Sequence, residues 1–537
     1  MNLRDENLTR LRHQSFDVLV IGAGINGAVS AASLAAKGLS VAIIDRHDFA
    51  GETSSQSSNL AWGGIKYLES YDFKLVNELC QSRNHLMKSF PSTVKEIRFL
   101  TSIAKGFRHK APVIYAGTVL YWMFGRFVTR RPNYLRPSQI QQLEPIINID
   151  QIEGGFEYSD CYLQDNDSRF VFNFVRRALD LGAIATNYVE ATDAKRVNNI
   201  WRICLRDTQT EESFSVKSKV IINACGPFAD QFNQLTKQPT QHRHLFSKGI
   251  HLVVDRLTDS HKVLAFFASD GRLFFIMPMG PKTCIGTTDV QVTSPYTKVT
   301  DADRDFILNN VNSLLKLPTP LTKKDIISER CGVRPLASTK QEAISSWTQV
   351  SRKHYIEANE QAGYISIFGG KLTDCINVGN EVAQVINSMG IRSQSATRQW
   401  YGEPSSLDRT RFMKQAQAIK LDAIIKKTSY NQLFEPLSER FWRRYGLNAF
   451  QLLEKIANDP SSSEIILPDA AYLTCEVELA EKTEMIVTLD DFLRRRSKIA
   501  MVLDKATLHQ NDKLLPICKI LFKEQAQLKL EQYYCSN

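Results

Sequence analysis

The sharpest pattern of apolar and polar positions lies near the start of the chain. An apolar run, Phe16–Ile21, stops at Gly22-Ala23-Gly24-Ile25-Asn26-Gly27. Small residues of helical character follow to Lys37, Gly38 closes them, and a second apolar run, Leu39–Ile44, ends in Asp45. The pattern predicts strand, glycine turn, helix, strand and acid in succession. Further along, Phe73–Met87 has amphipathic helical spacing, and Ser168–Leu181 predicts a helix ended by Gly182 and followed by a strand closing at Val189-Glu190. Lys217–Ala224 predicts a strand broken at Gly226-Pro227. Between residues 245 and 290 the runs LFSKGIHLVV, RLFFIMPMG and KTCIGTTDV, separated by turn residues, predict an antiparallel sheet. Residues 363–390 repeat the order strand, glycine turn, helix. After about Gln399 helical spacing takes over, in 410–427, 450–459 and 490–503, so residues 400–537 read as a separate, mostly helical domain.

The first glycine turn carries chemistry. Gly22 allows the tight turn, Gly24 lets the backbone approach a pyrophosphate, and Gly27 permits close packing of helix on strand. The helix N-terminus offers amide N–H groups and partial positive charge to phosphates, so Gly22, Ala23, Gly24, Asn26 and Gly27 form a candidate dinucleotide site. Asp45 falls where a ribose hydroxyl needs an acceptor. Thr53, Ser54 and Ser55 offer hydroxyls and amides to a pyrophosphate or a flavin ring, although the run taken alone equally suits an ordinary polar loop. A nicotinamide domain is completed by strands that follow soon after the first unit. Here the matching strands come late, at Val220–Gly226 and Ile365–Thr373, with a β-rich insertion between them. Such interleaving fits flavoproteins in which a nucleotide domain and a substrate sheet alternate along the chain. The Gly369-Gly370-Lys371 turn opens a helix near Leu372, whose N-terminus suits the negative charge of a reduced flavin.

Composition narrows the partners. A chain of 537 residues with 43% hydrophobic and 23% charged residues has room for two or three globular domains. The balance of 67 basic against 57 acidic residues, a net charge of +10, suits an anionic substrate or surface. With no arginine-rich arm or finger motif, the sequence argues against nucleic acid as a partner. The ten cysteines are scattered singly without CxxC, which argues against a metal site and a disulfide framework and for reduced thiols in a cytoplasmic protein. The start, MNLRDENLTRLRHQ, is charged throughout and has no secretory h-region. No segment reaches transmembrane length; the nearest is Ala111–Val128, flanked by Lys105, Arg108 and Lys110 and by Arg130, Arg131 and Arg136. Two readings stay open for it: a membrane-interface segment drawn to anionic lipid, or a buried element of a substrate cap.

Taken together, VIGAGINGA, TSSQSSNLAWGGIKYLE, GFEYSDC, NACGPFADQF, KGIHLVV, IGTTDV, GVRPL and FGGKLT, with RRRSK as a looser match, resemble in order the blocks of the FAD-dependent glycerol-3-phosphate dehydrogenases, in the wider glycine/D-amino-acid oxidase superfamily. The resemblance runs through nearly the whole chain. It implies an α/β fold in which an FAD-binding Rossmann-like domain is interleaved with an antiparallel β-sheet substrate domain, plus the helical C-terminal domain. Residues 1–399 would form the oxidoreductase domain, with FAD segments about 14–75, 150–245 and 330–395 and substrate or cap segments about 76–149 and 246–329. The implied reaction oxidises the C2 hydroxyl of glycerol 3-phosphate to dihydroxyacetone phosphate by hydride transfer to flavin N5. Electrons would then pass to a quinone, or to oxygen in oxidase relatives. The implied setting is peripheral, on the cytoplasmic face of the inner membrane, and a homodimer is one oligomeric state open to the chain.

Carried over motif by motif, Arg334 of GVRPL matches an arginine facing substrate, and Lys371 of FGGKLT matches a lysine near flavin and substrate. Lys66 and Tyr67 match the arginine and tyrosine of the family's RYLE block. His251 of the KGxH block is the candidate general base. Gly64, Val189, Gly226, Gly370, Leu372 and Thr373 join the candidate cofactor contacts. Three departures bear on substrate. Trp62 stands where the family has histidine, Lys66 replaces the arginine and its bidentate fork, and Asp374, Cys375 and Ile376 replace the usual Thr, Tyr and Arg. They favour two alternatives: a sibling FAD dehydrogenase or oxidase acting on another alcohol or amine, or a flavoprotein that has lost catalysis.

Overall fold

The computed structural model describes residues 2–107, 109–268, 271–339, 353–392, 398–425, 435–467 and 470–536. Arg108 of the basic flank, and the last two residues of the 410–427 run, lie outside them.

The first apolar runs form the centre of a mainly parallel sheet. Its order is Tyr355–Asn359, Tyr364–Phe368, Ser213–Asn223, Ser15–Ile21, Val41–Ile44, Ile184–Thr186. The neighbours are parallel except at the Tyr355–Asn359 edge. A strand buried on both faces reads as an unbroken apolar run, as the Val18–Ile21 end of Ser15–Ile21 does. Val18 and Val20 join the core formed with helix Ile25–Ala36, while Leu19 and Ile21 face a second core around Trp201. The late strands Ser213–Asn223 and Tyr364–Phe368 complete the sheet as the interleaving predicts. The glycine turn is sterically obligatory. Gly22 has φ +95°, and a Cβ on Gly27 would lie 1.8 Å from the Gly22 carbonyl oxygen.

The strand expected to close at Val189-Glu190 is two elements. Ile184–Thr186 ends early, Tyr188 adopts φ +57°, and Val189 opens a new strand, Val189–Val197, which pairs antiparallel with Ile200–Asp207. Tertiary hydrogen bonds hold this break. The buried Asn187 amide donates to Asp48 Oδ1 at 2.9 Å, and the Val189 N–H donates to the Asp45 carbonyl at 2.7 Å.

The second sheet has ten strands and is larger than the 245–290 pattern suggests. His242–Asp255, Lys282–Gly286, Leu273–Met279 and Val263–Phe267 lie side by side, followed by Val94–Ala104 and Ile152–Leu163. Pairing is antiparallel throughout, except where Val263–Phe267 runs parallel to Val94–Ala104. Ser328–Thr339 pairs along His242–Asp255 over twelve positions. The stretches around residues 152–163 and 328–339, read from sequence with the cofactor segments, therefore run in the antiparallel sheet; the chain returns to the nucleotide layer with helix Asp167–Asp180. Both are long ladders with buried positions on both faces, which fixes them to the larger sheet.

Ala111–Phe124 is a helix. Ala111, Thr118 and Tyr121 are buried, while Val113 (61% exposed) and Met123 (52%) face outward, as does Phe127 (57%) just beyond it. Among the described residues no helix is long and apolar enough to cross a membrane. Beyond residue 400 the described chain is helical apart from the short pair Ile465–Leu467 and Tyr472–Leu473. The RRRSK segment ties this region to the nucleotide layer. Arg496 donates to both oxygens of buried Asp48, each at 2.8 Å, and Arg495 Nε joins at 2.7 Å.

Candidate active site

Strands Ser15–Ile21, Val41–Ile44 and Ser213–Asn223 end on one side of the sheet, where the order reverses around the first strand. Clefts form at such points in open α/β sheets. The cleft here has a volume of about 490 Å³. Gly22, Gly24 and Asn26 line it together with Asp45, Thr53, Ser54, Val189, Gly226 and Gly370. Nine of the residues predicted to bind cofactor thus meet on one surface.

The remainder lie behind it. Ala23 donates its N–H to Asp45 Oδ2 at 2.7 Å. Gly27 packs inside the turn, and Ser55 is buried with its hydroxyl on the Glu52 carbonyl. Gly64, at φ +80°, packs on the Tyr67 ring. Leu372 and Thr373 open the short turn Leu372–Asp374 ahead of helix Cys375–Ser388, and the Thr373 hydroxyl donates to the Trp62 carbonyl at 3.3 Å.

These features fit a dinucleotide. The Asn26 side-chain oxygen is buried on the cleft wall and has no hydrogen-bond partner among the described residues. Gly24 lacks the side chain that would crowd Ser54, whose Oγ would stand 3.1 Å from a Cβ there. Asp45 accepts from the amides of Ala23 (2.7 Å) and His47 (2.9 Å), which orients its carboxylate across the cleft. Burial pushes its pKa up to about 6, against an ordinary 3.8. A hydroxyl donor is what such an enclosed carboxylate lacks. FAD fits such a cleft, and the Gly22–Gly27 turn, Asp45 and the Gly369-Gly370 turn are the residues that would hold it.

At the Gly370 end, the Lys371 ammonium lies 4.2 Å from the centre of the Tyr67 ring. Trp62 stacks obliquely on Tyr67 as well, ring centres 6.0 Å apart. Lys66 is exposed and faces a separate cavity of about 240 Å³ beneath the Ala111–Phe124 helix. Asp374 does not pair with Lys371. It accepts from Ser82 Oγ at 2.7 Å and lies 3.0 Å from His354 Nδ1, and that contact lowers its pKa against the burial that raises it. The Gly63-Gly64 turn is anchored by buried Asp160, which accepts the Gly63 amide and is braced by Tyr121 at 2.6 Å and Arg83 at 3.3 Å.

Arg334 lies on strand Ser328–Thr339 of the large sheet, one residue before Pro335, which is in the cleft wall. It donates to Thr287 Oγ1 at 2.8 Å and pairs with Asp289 at 3.4 Å. Gly249 makes room for it, since a Cβ there would meet the guanidinium at 2.3 Å. His251 sits two residues along the same strand as Gly249. Its ring is buried, neither nitrogen has a partner among the described residues, and it lines neither cavity described above. Burial, reinforced by Arg330 and Arg334, holds its pKa well below 6.5.

Sequence reading missed several wall residues. The Arg46 guanidinium lies 4.0 Å over the Phe228 ring across the cleft, and His47 meets Glu52 at 3.0 Å. Arg46 and His47 directly follow Asp45, and that adjacency was the available clue. Gly249, Thr287 and Asp289 lay within the KGIHLVV and IGTTDV blocks, but only the fold shows that they surround Arg334.

Comparison with known proteins agrees with this geometry. Residues 17–376 match the model of the FAD dependent oxidoreductase family, and residues 408–524 match that of the C-terminal domain of alpha-glycerophosphate oxidase. A glycerol-3-phosphate dehydrogenase of Pseudomonas tolaasii is 33% identical over 67% of this chain and 69% of its own. One from Synechocystis is 29% identical over 98% of this chain and 97% of its own. The crystal structure of the glycerol-3-phosphate dehydrogenase from Bacillus halodurans, complexed with FAD, superposes with a TM-score of 0.74 at 23% identity, covering 99% of this chain and 97% of that one. The chain therefore belongs to the FAD-dependent oxidoreductase family, among the glycerol-3-phosphate dehydrogenases, with FAD as its cofactor.

Proposed function

We propose that the protein oxidises glycerol 3-phosphate at C2 to dihydroxyacetone phosphate and delivers the electrons to a quinone at a membrane surface. The observation that carries this reading is the meeting of Lys371 with Tyr67, 4.2 Å apart and one residue from Gly370 in the cofactor cleft. FAD, when bound, supplies the acceptor for the C2 hydride. The chain's own residues do the rest. Arg334 and Lys371 bring two cations to an anionic substrate, and Tyr67 holds the Lys371 ammonium in place against its ring. His251, buried two residues from the Gly249 that borders Arg334, is the proposed acceptor of the hydroxyl proton at a ring nitrogen, because both of its ring nitrogens lack a partner among the described residues. This role requires substrate to reach past the two cavity walls. Its lowered pKa keeps that nitrogen unprotonated through neutral pH, so the acid limb of kcat/KM should fall below 6.5. The turn before helix Cys375–Ser388 would offer its amides to negative charge on the reduced cofactor.

The exposed apolar side chains of Val113, Met123 and Phe127, beside exposed Arg126, Arg130 and Arg131, support peripheral attachment to an anionic leaflet. The 240 Å³ cavity under that helix, with Ile114, Phe156 and Tyr158 in its wall, suits an apolar quinone. Trp62 against Tyr67 favours a second reading, a less highly charged hydroxy substrate, because an aromatic ring stands where a polar side chain would serve a phosphate. Anaerobic titration of the yellow holoprotein separates the two. Glycerol 3-phosphate should bleach the flavin band at stoichiometric amounts. Bleaching by an unphosphorylated alcohol alone would replace the first reading with the second, and bleaching by neither would leave a flavoprotein without this catalysis.

A further inference from the structure

A second large cavity, about 510 Å³, shares no lining residue with the cofactor cleft. It opens between the antiparallel sheet and the C-terminal helices. Its wall carries six cations, Lys95, Arg256, Arg440, Arg443, Arg444 and Lys498, against the carboxylates of Glu96 and Glu435. The three arginines of helix Leu437–Tyr445 are committed to the frame. Arg440 pairs with Glu476, Arg443 with Glu435 and Asp165, and Arg444 with Asp165 and the Tyr472 hydroxyl. Glu96 is likewise engaged, by Arg130 at 3.3 Å.

The other three cations differ. Lys95, Arg256 and Lys498 make no ion pair among the described residues. Arg256 bonds only to backbone carbonyls, of Gly280 at 2.6 Å and of Asp259 and Ser260 at 3.2 Å. Lys498, half-buried in the wall, donates to the Gln164 carbonyl at 2.9 Å, which uses one of its three N–H groups. Burial pushes its pKa down to about 8. The carboxylates that act on it, Asp165 and Glu435, are already paired with Arg443 and Arg444, and desolvating an ammonium that has no ion-pair partner of its own is costly. Beside these charges, Ile97, Met279, Ile499 and Val502 give the cavity an apolar wall.

We propose that this cavity is a second anion site, distinct from the catalytic one, that takes a phosphate monoester of a small carbon skeleton. Lys498, Arg256 and Lys95 supply the positive charge that meets the dianion, and the apolar wall covers the carbon chain. A carboxylate would leave two of these cations unmatched, whereas a phosphate dianion leaves one and has acceptor oxygens for all three. The site does not depend on the reaction proposed above.

The test uses the full-length protein titrated calorimetrically with inorganic phosphate in a phosphate-free buffer at about pH 7.5, where a phosphate monoester is largely the dianion. Wild type is compared with Lys498→Gln and Arg256→Gln, and each is repeated with Arg334→Gln added, so that phosphate bound at the catalytic end is subtracted. Circular dichroism verifies folding, and Arg256→Gln, which removes only carbonyl contacts, carries the test where Lys498→Gln fails to fold. The expected result is a phosphate isotherm that survives Arg334→Gln and weakens at least tenfold in the folded variants. Wild-type affinity in a folded Arg256→Gln or Lys498→Gln protein, or loss of all binding with Arg334→Gln alone, overturns the proposal.

Discussion

Replacing Asp45 by asparagine should separate cofactor affinity from stability, because the two depend on its carboxylate with opposite sign. In the structure the carboxylate accepts from the Ala23 and His47 amides and is enclosed by the cleft wall. Burial raises its pKa from an ordinary 3.8 to about 6, so the folded apoprotein holds this proton more tightly than the unfolded chain does. The sign follows. The apoprotein is favoured at low pH, and that advantage is lost as pH rises through about 6. At about 1.36 kcal/mol per decade the penalty at pH 8 is at most ~3 kcal/mol. The asparagine side chain carries no charge, so Asp45→Asn removes that penalty, but it keeps one acceptor oxygen for two amides, which costs ~1–3 kcal/mol. The net change in apoprotein stability at pH 8 should therefore lie within ~2 kcal/mol of zero. FAD binding behaves differently. A hydroxyl donating to a carboxylate contributes ~1.5–3 kcal/mol, so Asp45→Asn should weaken FAD binding ~10- to 100-fold. For the same reason wild-type affinity should fall as pH drops through about 6, where the carboxylate protonates. Fluorescence quenching of FAD by apoprotein measures the affinity, and urea unfolding of apoprotein measures the stability. FAD affinity within about twofold of wild type, or a loss of stability beyond ~4 kcal/mol, would refute this account, because Asp45 would then serve the fold and not the cofactor.

Four further changes test the rest of the site. Lys371→Met should lower kcat/KM for glycerol 3-phosphate ~100-fold, the worth of a lost charge-assisted contact, while leaving FAD bound; an unchanged anaerobic bleaching rate would remove Lys371 from the reaction. Gly249→Ala places a methyl 2.3 Å from the Arg334 guanidinium, which can swing aside, so KM should rise with little change in melting temperature; an unchanged KM would mean that Arg334 does not meet substrate. Arg496→Met leaves buried Asp48 with Arg495 as its one remaining cation, beside the Asn187 amide, and should cost ~3 kcal/mol, seen as a lower melting temperature and weaker FAD retention; a wild-type melting curve would show that the C-terminal clamp is not needed. Val113→Asp with Phe127→Asp should leave turnover with a soluble dye acceptor intact but reduce co-sedimentation with anionic vesicles; full co-sedimentation would move the membrane contact elsewhere.

What was legible in the sequence, and what was not, follows from the range of the forces involved. Gly22–Gly27, Asp45 and the Gly369-Gly370 turn could be read directly because their roles are local: a positive φ, a clash at 1.8 Å and an amide at a helix start are all decided within a few residues. The antiparallel layer was underestimated for the opposite reason. Val94–Ala104 and Ile152–Leu163 pair across a long stretch of intervening chain, and neither strand carries a pattern that names its partner. The break at Tyr188 was hidden because the force behind it is tertiary, Asn187 bonding to Asp48.

The same reasoning explains why the departures from the family pattern resisted interpretation one at a time. Asp374 looks in sequence like a carboxylate next to a catalytic lysine. In the fold it is engaged by Ser82 and Asn377 from two helices and by His354 just before an edge strand. Ile376 is buried in the core of the nucleotide layer, where a cation would have no partner. Lys66 points into the cavity beneath the apolar helix instead. Trp62 alone reaches the Tyr67–Lys371 pair. The question of substrate therefore narrows from several substitutions to one. If Trp62→His raises kcat/KM for glycerol 3-phosphate relative to unphosphorylated alcohols, the indole is what tunes this site away from phosphate. If the ratio of the two does not move, Trp62 only packs against Tyr67, and the substrate preference is set by Arg334 and Lys371.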